Sequence, residues 1–145
     1  MSTADDFARN RESRERLGAM VQRLDGRNAA LEDGWNVAAV FAHLAFWDRV
    51  AATRIELYLR EHQGMEFFND VFFDYINAAG LPQWSRTPLR DATADALAAA
   101  QATDLGLERL TADEVALLEK LERPNLFRRF PHREGHLDQI ERALR

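Results

Sequence analysis

Apolar residues recur three and four positions apart along most of this chain, and runs that alternate in the manner of a strand are scarce. Four long helical patterns follow from that spacing. The first begins near Thr3, read as an N-cap with Asp5 and Asp6 in the favourable first turn. It carries Leu17, Met20, Val21 and Leu24 on one face and stops at Asp25-Gly26. The second is capped by Asn36, with Trp35 and Val40 placed for a hydrophobic staple. Its stripe runs through Val37, Val40, Phe41, Leu44, Trp47, Ala51, Ile55 and Tyr58. The first half is apolar on nearly every side, which predicts the most buried helix of the fold.

A Phe-rich stretch, Phe67, Phe68, Val71, Phe72, Tyr75 and Ile76, has the spacing of a short amphipathic helix with a packing role. Covering a site mouth or a dimer interface is its alternative use. Gly80, Pro82 and the run from Trp84 to Thr87 read as a connecting loop. Thr87 as N-cap and Pro88 at the first helical position start the third helix, whose Ala92, Ala96, Leu97 and Ala100 form a small-residue face. Thr111 with Glu114 is a capping box for a further turn or two, stopped by Pro124. The last helix runs from about Pro131 with Leu137, Ile140 and Leu144 on one face. These patterns predict one all-α domain over residues 1–145, an antiparallel four-helix bundle with a long crossover between its second and third helices.

Charge and composition narrow the function. A net charge of −5 and a pI near 5.4 argue against a nucleic-acid partner, which would need a basic face. The paired arginines are interleaved with acids, as on a solvated helix surface. The longest uncharged run, Gly34 to Trp47, falls short of the roughly 20 residues of a membrane helix. The charged N-terminus lacks the apolar core of a secretory signal, so the expected location is the cytoplasm. With no cysteine in the chain, a disulfide, a thiolate zinc site and a cysteine nucleophile are excluded. Any thiol chemistry must use a thiol supplied from outside.

Three of the four histidines carry the chemical interest. His132 and His136 are four apart and share one helix face, within bridging distance of a single ion. Taken alone, such a pair also describes an ordinary surface. His43 is the only ionisable group between Asp33 and Asp48, on the helix predicted to be most buried. An imidazole in an apolar stripe needs a partner. That partner is either a backbone carbonyl, as in a core histidine, or a metal ion assembled from inward-pointing side chains of facing helices. Three neutral imidazoles with an open position would be the arrangement of a catalytic site rather than a closed structural one. His62 reads as a surface residue near a helix end.

The stretches Trp35-Asn36-Val37, Phe41-Ala42-His43-Leu44 and His132-Arg133-Glu134-Gly135-His136-Leu137 resemble the DinB/YfiT-like superfamily. That superfamily includes the metal-binding domain of mycothiol-dependent maleylpyruvate isomerase. The isomerase branch usually has a glutamate where this chain has His132, so the resemblance is closer to the general DinB/YfiT branch. It implies a four-helix bundle in which His43, His132 and His136 are the three ligands of a divalent metal, zinc or nickel. It further implies a metal-dependent thiol transferase acting on a small-molecule electrophile with a low-molecular-weight thiol, and a homodimer. A metal-dependent hydrolase and a non-catalytic, partner-binding stress protein are the alternatives. Asp48, Glu134 and Gln139 are candidates to orient the ligands. Arg128 and Arg129 are candidates to contact an anion, against the plainer reading of a charged turn. Phe46 and Trp47 are read as core, with a pocket wall as the alternative.

Overall fold

A computed structural model of the chain describes residues 2–145. Its helices are α1 (Thr3–Leu24), α2 (Val37–Glu61), α3 (Asp70–Trp84), α4 (Leu89–Glu108), α5 (Ala112–Glu119) and α6 (Phe130–Ala143). Among the described residues the only β pairing is one isolated bridge between Ala30 and Asn36, so the protein is all-α. None of these helices is long and apolar enough to cross a membrane.

One core is shared by α1, α2, α4 and α6. Leu17, Met20 and Leu24 meet Val37, Val40, Phe41 and Leu44, closed by Leu137 and Ile140. Every residue from Val37 to Phe41 is fully inaccessible, which makes the start of α2 the centre of the fold, as its pattern predicts. Burying each of its large apolar side chains contributes roughly 1.5–3 kcal/mol. Ala92, Ala96 and Ala100 line the face of α4 that α2 packs against, and the absence of long side chains there lets the two helices approach closely. A second cluster of Ile55, Met65, Leu107, Leu118 and Phe127 closes the other end.

Local chemistry sets the helix ends. Asn36 caps α2 by accepting from the Ala39 amide at 2.8 Å, and Thr111 with Glu114 forms the expected capping box of α5. Asp25 (φ 48°) and Gly26 (φ 76°) end α1. Four expectations change. The cap of α1 is Ser2, boxed with Asp5, rather than Thr3. The Thr87 hydroxyl instead donates to the Gln83 carbonyl, so α4 begins at Leu89, one residue beyond Pro88. The chain leaves α5 at Lys120, and Pro124 opens a 3-10 turn (Pro124–Phe127) rather than stopping the helix. Finally, Gly80 and Pro82 lie inside α3, which runs unbroken to Trp84. Pro82 falls in the last turn, and beyond it the Ser85 amide still reaches the Leu81 carbonyl at 2.8 Å.

The start of α6 has no cap of its own. Asn10 of α1 supplies one from across the fold: its Oδ1 accepts from the amides of Arg129 (2.8 Å) and Phe130 (3.1 Å), while its Nδ2 donates to the Phe127 carbonyl (2.8 Å). Pro131 brings no amide that would need a partner. The first turn of α6 is thereby tied to α1, with His132 in it.

Candidate metal centre

α2 presents His43 from its buried half, and α6 presents His132 and His136 from adjacent turns of one face. The three rings form a nearly equilateral group, with centroids 4.9 Å (His43–His132), 4.8 Å (His43–His136) and 4.8 Å (His132–His136) apart. One donor nitrogen from each lies within 4.8 Å of the others. The Nε2 atoms of His43 and His132 face each other at 2.9 Å. At that distance the Nε2–H of one neutral ring donates to the bare Nε2 of the other.

His136 is oriented by Gln139 one turn on. The Gln139 Oε1 sits 2.9 Å from Nδ1 and accepts its proton, which leaves the Nε2 lone pair of His136 free. His43 is different: it is 4% exposed, and its Nδ1 is buried with no hydrogen-bond partner among the described residues. Whichever nitrogen carries the proton, one polar atom of this ring is unsatisfied. The ordinary structural reason for a buried histidine, a bond to a backbone carbonyl, is therefore missing.

The surroundings hold all three rings neutral. Burial pushes His43 down to about 3, reinforced by His136 and opposed by nearby Asn77. Burial likewise pushes His132 down to about 2, with His136, His43, Arg129 and Arg133 acting in the same direction. His136 is lowered by burial, and the bond to Gln139 opposes this. Neutral imidazole is the form that ligates metal. Three imidazole nitrogens suit zinc or nickel, and at neutral pH no proton has to leave before a divalent ion is held.

The three rings stand at the side of a cavity of about 570 Å³, a volume within the range that takes small molecules. Trp35 meets the His43 ring edge-on at 5.3 Å, and Trp84 does so at 5.4 Å. Trp47, 8% exposed, donates from Nε1 to Asn77 at 2.9 Å and so ties α2 to α3 beside the cavity. Phe68 and Phe73 complete the apolar wall. Trp47 is thus pocket wall as well as core, while Phe46 stands partly exposed against Trp47 and Trp84. The Phe-rich stretch contributes to the site rather than to the core: α3 has no buried residue, and Phe67, Val71 and Tyr75 face outward.

Of the residues considered as partners for the ligands, Gln139 takes that role. Asp48 pairs with Arg129 (2.8 Å) and Arg133 (3.1 Å), Glu134 reaches Arg9 at 3.5 Å, and Arg128 reaches Asp6 at 3.1 Å. His62 is an exposed left-handed C-cap of α2 stacked on Tyr58, away from the site. Asn10, Trp84 and Arg133 escape a motif-based reading, since each acts through tertiary contacts. Comparison with protein-family models, with curated proteins and with solved structures finds no match for this chain.

Proposed function

We propose that this protein is a DinB-like four-helix bundle that holds zinc or nickel on His43, His132 and His136 and conjugates a low-molecular-weight thiol to a small electrophile. The observation that carries the metal reading is the convergence of three neutral imidazoles beside a small-molecule cavity. A divalent ion on three neutral ligands keeps its full charge and, when bound, acidifies a thiol that reaches it. The chain's own contributions are separable. Burial keeps His43 and His132 neutral, Gln139 fixes the ring of His136, and Trp47, Phe68 and Phe73 give the cavity an apolar wall. The absence of cysteine is consistent with a thiol delivered as co-substrate. The resemblance of the histidine motifs to the DinB/YfiT-like superfamily supports the transferase assignment.

Elemental analysis of the purified protein should find about one divalent ion per chain, lost from His43→Ala, His132→Ala and His136→Ala. An assay that pairs an electrophile panel with low-molecular-weight thiols should show turnover only when both are present. Retention of metal by all three variants sinks the site. Turnover of esters or amides without any thiol would replace the transferase by a hydrolase.

A further inference from the structure

Arg129 lines the cavity and borders His132 at the start of α6. Its Nε donates to Asp48 Oδ1 at 2.8 Å, and its side chain is 15% exposed. The other oxygen of Asp48 already accepts from Arg133, from Nε at 3.3 Å and from Nη2 at 3.1 Å. No acceptor among the described residues reaches Nη1 or Nη2 of Arg129. The second arginine of the cavity, Arg54, differs: its Nε donates to the Gly64 carbonyl at 2.7 Å, its Nη2 to the Glu66 carbonyl, and its guanidinium lies over the Phe68 ring. Arg54 is a tie for the loop after α2, whereas Arg129 has donors to offer.

The charge count points the same way. Arg14, Arg129 and Arg133 share only Asp48 and Asp104, which leaves one positive charge in the group. Arg133 is fully buried and Arg14 does not line the cavity, so Arg129 presents that charge there. Glu32 and Asp33 also line the cavity, but neither forms an ion pair with it. A guanidinium held at Nε by a fixed carboxylate is preorganised, and its terminal nitrogens match a planar two-oxygen anion.

We propose that Arg129 is the anion-recognition residue of this cavity and that the ligand taken beside the three histidines is a small carboxylate with an apolar body. Trp47, Phe68 and Phe73 receive the body, and the Nη donors of Arg129 take the carboxylate. The inference shares its cavity with the proposed metal centre but does not require the ion.

The test is calorimetric titration of the chelator-treated full chain with phenylacetate, 3-phenylpropionate and 4-phenylbutyrate, each beside its primary amide. At least one acid should bind about tenfold or more tightly than its amide. Arg129→Gln should abolish that preference and leave amide affinity unchanged, and Arg129→Lys should restore part of it. Equal binding of acid and amide throughout the series overturns the proposal, as does a preference that survives in Arg129→Gln or that emerges only after zinc is added. If Arg129→Gln does not fold, the acid–amide comparison on the unmutated protein decides alone. Because the acid–amide comparison is made on metal-free protein, failure of the metal reading leaves it standing, and the reverse also holds.

Discussion

At the scale of single residues, the histidines are held in a form the unfolded chain does not share. An exposed imidazole titrates near 6.5, whereas burial keeps His43 neutral down to about 3 and His132 down to about 2. Below pH 6.5 the unfolded chain therefore binds protons that the folded protein refuses, and stability must rise with pH across this window. For metal-free protein the loss should approach about 1.4 kcal/mol per pH unit for each such imidazole. Urea titrations at pH 7, 6 and 5.5 will show it as a falling midpoint, with a shallower fall in His43→Gln. A stability that is flat over this range would mean the rings are not held neutral. His43 was legible as unusual because it interrupts an uncharged run on the most apolar helix. His132 and His136 were legible as a pair from their spacing of four and joined to His43 only through the family resemblance, since the fit of three rings depends on how α2 and α6 meet.

At the scale of elements, α3 shows where a local reading of the chain reaches its end. Gly80 and Pro82 are ordinary loop signals, yet both sit in a continuous helix. Packing accounts for Gly80: a Cβ there would lie 2.4–2.6 Å from three atoms of the Trp84 ring, one turn on. Glycine lets that indole lie flat along α3 and reach His43, Trp35 and Phe46. Gly80→Ala should therefore push Trp84 off the site rather than unfold the protein. The expected result is a red-shifted tryptophan emission and faster acrylamide quenching, with a melting temperature changed by only a few degrees, about 1 kcal/mol or less. Unchanged emission would show that the ring has room to shift without opening the wall. The helix periods of α1 and α2 needed no such tertiary help, which is why their positions were readable in advance.

At the scale of the whole molecule, the element that sets α6 against the rest is a polar cluster inside the core. Arg133, wholly inaccessible, donates to Asp48 of α2, to both oxygens of Asp104 of α4 (3.0 and 2.9 Å), and to Ser13 and the Asn10 carbonyl of α1 (both 3.2 Å). Burial alone would lower the Arg133 pKa, but Asp48 and Asp104 more than offset this and raise it. Burial raises Asp104, against the pull of Arg133. Sequence held a trace of this cluster: Asn10, Ser13, Asp48 and Asp104 continue apolar stripes at spacings of three and four, where a polar residue is out of place. Arg133 left no such trace, because a charged residue between two histidines reads as surface. Apolar packing alone would let α6 slide or turn on its neighbours, whereas a guanidinium shared by three helices accepts one register. That register brings His132 opposite His43. Asp104→Asn removes one carboxylate from a buried cation and should cost about 3–5 kcal/mol, read as a lower urea midpoint at unchanged slope. Asp104 does not line the cavity, so weaker metal retention in this variant at a denaturant-free, fully folded pH would report the register of α6 rather than a lost ligand. A stability loss with metal affinity untouched would confine the cluster to holding the fold, and would place the alignment of His43 with His132 on the Asn10 cap and the apolar core instead.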